Sequence, residues 1–175
     1  AKPRPDGATV LAYDQKKIDA INPDTMLAEM DANSNGYVLP GWEPERMGRL
    51  KELFELYKDV TDEKLFDNLV YFLNRIKPVC KQYGIRMAIH PDDPAWPVFG
   101  LPRIVTSGEK IRRLMKAVDD PFNGVTLCTG SLSSNPANDI PAIIRSLAGR
   151  IPFAHVRNTK HDGPGDFEEA AHLSS

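Results

Sequence analysis

The chain has 175 residues, 41% of them hydrophobic and 26% charged, with a formal net charge of -2. That balance suits a soluble globular domain with a real core, excludes a disordered or fibrous protein, and supplies no basic surface for a nucleic-acid backbone. No apolar run approaches the roughly twenty residues of a membrane span, and the opening AKPRPDG has no apolar signal core. Two cysteines, Cys80 and Cys128, in dissimilar surroundings do not form a secreted disulfide framework, so the reading is cytoplasmic. Ala1 in place of an initiating Met points to a trimmed or partial chain.

Residues 1–60 read as three short helices separated by the breakers Pro23, Asn35-Gly36 and Pro40-Gly41, with no strand-like run. Met47, Leu50, Phe54 and Tyr57 recur at helical steps. This segment is expected to be a helical insertion. Asp31, Asn33, Asn35 and Gly36 imitate the start of an EF-hand calcium loop, but Trp42 stands where the closing Glu belongs and Glu43 falls one residue late. An Asn-Gly turn is the better account.

From Thr61 the apolar stripe Leu65, Leu69, Phe72, Ile76, Cys80 and Tyr83 predicts a helix ending at Gly84, with a kink at Pro78. Ile85 to His90 then suits a buried parallel strand, and a Pro-rich loop follows. The pattern repeats. Thr106 and Glu109 form a capping-box signature before Ile111, Leu114, Met115 and Val118, and Asn123-Gly124 turns the chain into a strand from Val125 to Cys128. Asp139 opens a third helix through Ile140, Ile143, Ile144 and Leu147, Gly149 closes it, and Ile151 to Val156 is the next strand. Residues 61–175 thus read as three successive helix-strand units of an α/β fold with parallel strands, and periodicity alone leaves closed barrel and open sheet both available.

His90, Cys128 and His155 lie at or beside the carboxyl ends of the three strands, where parallel α/β folds bind ligands. Their separations match whole loop-helix-strand units and far exceed zinc-finger spacings. Each residue alone is more often a packed core residue; three at corresponding strand ends make a metal site the sharper reading. Cys128 as a nucleophile with either histidine as base is the competing chemistry. Cys80, on a helix stripe, belongs to the core, and Lys110, Arg112 and Arg113 read as a solvated helix face. No G-x-S-x-G elbow, Walker loop or GxGxxG fingerprint occurs. Asp92 and Asp93, between prolines, read as an exposed turn ahead of a ligand-orienting or substrate-binding role.

The segments MAIHPDDPAWPVFGLPRI (Met87 to Ile104), NGVTLCTGS (Asn123 to Ser131) and FAHVRN (Phe153 to Asn158) resemble, in order, those of the mannonate dehydratases. LPGWE (Leu39 to Glu43) and FEEAAHL (Phe167 to Leu173) extend the resemblance over nearly the whole chain. The resemblance implies a TIM (β/α)8 barrel hydro-lyase of hexuronate catabolism that converts D-mannonate to 2-keto-3-deoxy-D-gluconate. It also implies Mn²⁺ or Fe²⁺ held by His90, Cys128 and His155. Ligand softness alone would favour Zn²⁺ and disfavours Mg²⁺.

A full barrel takes about 250 residues or more, so the expected fold is a partial barrel of about three parallel strands, with the remaining strands absent. The family's fourth ligand, an aspartate, and a tyrosine nearer its C-terminus have no match in the chain. Arg157 is read as a partner for the substrate carboxylate, with a structural salt bridge as the alternative. The general acid and base are unassigned, and oligomeric state is open, a homo-oligomer included. The rival functions are a metal-dependent sugar isomerase or epimerase on a barrel, and a non-catalytic fragment or binding module.

Overall fold

A computed structural model describes residues 2–22 and 49–173. The calcium-loop imitation at Asp31 to Gly36, the breakers from Pro23 to Gly41 and the LPGWE segment lie outside them. Near the N-terminus come three two-residue strands, β1 (Lys2–Pro3), β2 (Thr9–Val10) and β3 (Ala12–Tyr13), and then α1 (Gln15–Asp19), capped by Asp14. The expectation of no strand in this segment is therefore corrected. Two residues are too few to show alternation, and β3 owes its conformation to a partner at the far end of the chain. The helix α2 (Leu50–Tyr57) covers the expected helical run as far as it is described.

The Thr61 hydroxyl caps α3 (Asp62–Tyr83) by accepting from the Lys64 amide, and Gly84 ends the helix in the left-handed region at φ 64°. The helix runs on through Pro78. Its buried face is not quite the expected one: Phe66, Leu73 and Cys80 enter the core, whereas Phe72 and Tyr83 are exposed. Two overlapping stripes satisfy helical spacing in this sequence, and spacing alone does not choose between them.

After β4 (Met87–Ile89), α4 (Gly108–Ala117) begins one residue later than the Thr106 signature implied, because Ser107 is the cap and accepts from the Lys110 amide. Ile111, Leu114 and Met115 turn inward, while Lys110 and Arg113 pair with Asp62 and Glu63 at the start of α3. Each fully buried side chain of this size contributes about 1.5–3 kcal/mol relative to exposure.

The strand β5 (Asn123–Cys128) includes the Asn-Gly pair expected to be a turn. Gly124 is there for proximity: a Cβ would sit 2.9 Å from the Met87 carbonyl oxygen and 2.8 Å from that of Arg150. A short helix, α5 (Thr129–Ser133), follows directly, then α6 (Ile140–Ser146), capped by Asp139 as expected, and β6 (Phe153–His155).

β4, β5 and β6 form a parallel sheet in that order. Its core is built from α3, α4, α5 and α6 against β5, with Val125, Leu73, Ile111, Leu132 and Ile143 among the buried residues. The chain then adds a hairpin absent from the sequence reading, β7 (Asn158–Gly163) and β8 (Asp166–Ala170), and β8 also pairs antiparallel with β3. Tyr13 stacks on Phe167, Trp96 meets both rings edge-on, and Lys2 pairs with Asp162 and Glu168. The fold is mixed α/β with parallel strands.

Candidate metal centre

Strand register brings the three donors together. Cys128 lies directly opposite His155 in the parallel pair β5–β6, so their side chains leave the same face. His90 follows Ile89, which pairs with Val125, and so falls level with Thr126, two residues before Cys128. An even offset keeps it on that face. The donor atoms of His90, Cys128 and His155 all lie within 4.8 Å of one another. Cys128 is fully buried and both histidines are exposed, which leaves the site open to solvent on one side.

The donor set fits an ion. Metal–nitrogen and metal–sulfur bonds of about 2.1 and 2.3 Å at a tetrahedral angle put the two donors about 3.6 Å apart. Cys128 Sγ and His155 Nδ1 are separated by 3.6 Å. His90 Nδ1 stands 2.7 Å from the Pro91 carbonyl oxygen, which can only accept. That nitrogen therefore carries the hydrogen, and Nε2 keeps the lone pair a metal requires.

A connected set of polar groups surrounds the sulfur. Ser131 Oγ lies 3.1 Å from Cys128 Sγ and donates to Asp93 Oδ2 at 3.1 Å, and the Ser131 amide points at Sγ from 3.5 Å. Arg157 donates through Nη1 to Asp93 Oδ2 at 2.7 Å, and through Nε and Nη2 to Glu169 Oε1 at 3.1 and 2.5 Å. Burial acts to lower the Arg157 pKa, but the bonds to Asp93 and Glu169 outweigh it and hold the guanidinium above its ordinary value. Gly130 lets the arginine stem pass, since a Cβ there would come within 2.6 Å of Arg157 Cβ. Thr129 Oγ1 accepts from the Arg157 amide at 2.9 Å. Every residue from Cys128 to Ser131 thus faces the centre or the arginine behind it.

Asp92 and Asp93 are more than an exposed turn. Asp92 pins the Pro-rich loop by accepting from the Val105 amide at 2.8 Å while its own amide donates to the Val105 carbonyl. Asp93 joins the polar set described above. Cys80 is buried in the core, 3% exposed. Reading the sequence missed Ser131 and Glu169: a serine after a strand-end cysteine carries no signal of its own, and a glutamate in a polar run carries none until the β7–β8 hairpin is placed.

A face of three parallel strands carrying an imidazole, a cysteine sulfur and a second imidazole defines an α/β protein with a group of donors at its strand ends that could hold a metal ion. The family model described as D-mannonate dehydratase (UxuA) matches residues 1–175. The mannonate dehydratase of Brachyspira hyodysenteriae is 67% identical over 175 residues, which are 100% of this chain and 49% of that protein. That of Thermotoga maritima is 53% identical over 175 residues, 99% of this chain and 49% of that protein. The crystal structure of mannonate dehydratase from Streptococcus suis serotype 2 superposes with a TM-score of 0.79 at 36% identity, covering 98% of this chain and 44% of that one. The chain belongs to the D-mannonate dehydratase family, and it spans about half the length of the curated relatives it matches.

Proposed function

We propose that this chain carries the metal-binding part of a D-mannonate dehydratase, a hydro-lyase that removes water from D-mannonate to give 2-keto-3-deoxy-D-gluconate. The observation that carries the reading is the convergence of His90, Cys128 and His155, with donor atoms within 4.8 Å, in a chain of this family. Mn²⁺ or Fe²⁺ is the proposed ion, as the resemblance implies, ahead of Zn²⁺.

The proton to be removed sits beside a carboxylate and is weakly acidic, so the reaction needs positive charge near that carboxylate as it leaves. A divalent ion held by the three donors would supply Lewis-acid charge there. Arg157 is the proposed second partner of the substrate carboxylate. Its bonds to Asp93 and Glu169 use three N–H groups and leave one on each Nη atom, so the planar fork is already oriented and keeps donors to offer. The same clamp keeps the guanidinium charged. Groups beyond these residues are proposed to complete the site, including a fourth ligand and the general acid and base.

The fold reading that goes with this function is part of a (β/α)8 barrel. It is supported by the parallel order β4–β5–β6 and by the exposure of Phe153 and Val156 at the β6 edge, 59% and 61%. No described helix is long and apolar enough to cross a membrane.

The test is to purify protein carrying the whole chain, load it with Mn²⁺, and follow D-mannonate by product analysis. Formation of the 2-keto-3-deoxy acid supports the reading. An isomerised or epimerised sugar would replace it with the barrel isomerase alternative, and no turnover by protein of the relatives' full length would leave the binding-module reading.

A further inference from the structure

We infer that Ser131 is a positioning residue for the metal centre, donating its hydroxyl hydrogen to the Cys128 sulfur when that sulfur holds an ion, and so setting the orientation and donor strength of the thiolate. The inference rests on the metal-centre reading above and extends it to a residue that does not itself ligate.

Ser131 has no accessible surface, and its hydroxyl lies between two acceptors, Cys128 Sγ at 3.1 Å and Asp93 Oδ2 at 3.1 Å. A hydroxyl has one hydrogen to give. While the sulfur is a thiol, its S–H donates to Ser131 Oγ and the hydroxyl hydrogen goes to Asp93. A metal-bound sulfur only accepts, so the same hydrogen is then required on the other side.

Asp93 tolerates that loss because Arg157 Nη1 independently donates to the same Oδ2 from 2.7 Å. Among the described residues the sulfur has no comparable reserve, since its other polar contacts there are the Ser131 amide at 3.5 Å and His155 Nδ1, itself a proposed ligand. The Ser131 main chain is also tied in place. The Ser131 carbonyl accepts from Ser134 Oγ at 2.6 Å, and that oxygen in turn accepts from the Ala95 amide at 2.8 Å, which holds the Ser131 backbone against the Asp93 loop. Hydrogen bonds of this outer kind orient ligands and change metal affinity by about 10–100-fold.

Cobalt(II) is the probe, because a thiolate bound to it gives a sulfur-to-metal charge-transfer band whose energy reports electron density on the sulfur. A hydrogen bond to the sulfur lowers that density and moves the band to shorter wavelength. In protein carrying the whole chain, Ser131→Ala should move the band to longer wavelength and weaken cobalt binding by about tenfold or more. Asp93→Asn, which keeps the serine but removes its charged competitor for the hydrogen, should move the band to shorter wavelength. The two variants shift in opposite directions, a result that general loosening of the site would not produce. Circular dichroism identifies any variant that fails to fold, and the other arm then decides. A thiolate band in the parent protein that neither folded variant moves would overturn the role of Ser131 alone. A parent protein that binds cobalt without a thiolate band would overturn the metal centre itself.

Discussion

Gly130 packs against the stem of Arg157, so closely that a methyl group in its place would lie 2.6 Å from Arg157 Cβ and 3.1 Å from Nε. The contact is with the root of the arginine, and a rotamer change does not relieve it. Gly130→Ala should therefore push the β6–β7 connection away from α5. The expected cost is about 1–3 kcal/mol, as for other overpacked sites, with a lower urea midpoint at unchanged slope. If Arg157 binds the substrate carboxylate, the apparent affinity for D-mannonate should fall along with stability.

Cys128→Ser tests the metal ligand. The side chain is fully buried and the replacement nearly isosteric, so the fold should survive. A hydroxyl is a poor substitute for a thiolate toward a first-row divalent ion. Metal retained after dialysis, measured by elemental analysis, should drop at least about tenfold. Undiminished metal in a folded variant would remove Cys128 from the site.

Much of this arrangement was legible because strand ends are. The runs ending near His90, Cys128 and His155 are short, apolar and bounded by Gly or Pro, and register does the rest: one even offset and one direct pairing put three donors on one face. The polar groups behind them were legible only in part: Arg157 and Asp93 stood out in the sequence, Ser131 and Glu169 did not. Glu169 reaches Arg157 because β8 returns beside β7, and nothing periodic in a polar sequence announces a hairpin whose other partner is β3, some 150 residues earlier. The Asn123-Gly124 pair misled for a related reason. Its dipeptide is a strong turn signal, yet Gly124 serves the close approach of the Met87 and Arg150 carbonyls.

The two stripes of α3 can be separated by experiment. Leu73 is 1% exposed and packs in the core, while its neighbour Phe72 is 51% exposed. Leu73→Ala should destabilise the chain by about 2–5 kcal/mol, as expected for a large buried residue left as a cavity. Phe72→Ala should cost about 0.5 kcal/mol or less, the usual range for an exposed position. Equal losses in chemical denaturation would mean that α3 is rotated from the face described here.

Asp120 should govern part of the acid sensitivity. It sits in the turn before β5, 5% exposed, with Lys81 Nζ at 2.6 Å and Lys77 Nζ at 3.3 Å. The Lys81 ammonium is the main influence; burial opposes it, and the Phe122 amide and Lys77 add to it, so that the carboxyl is held down at about 2. In the unfolded chain the same group titrates near about 3.9. Because the folded value is the lower one, the ionised carboxylate favours the folded state. Its contribution is fully present above the unfolded value and is lost as the pH falls from about 4 through about 2. Asp120→Asn keeps the shape but removes the charge that both lysines face. The variant should melt at a lower temperature than the parent at neutral pH, and the gap should close as both are acidified across that window. Thermal scans at several pH values between 7 and 2 would show it, and a gap that stays constant down to pH 2 would mean that the ion pairs contribute nothing to the difference.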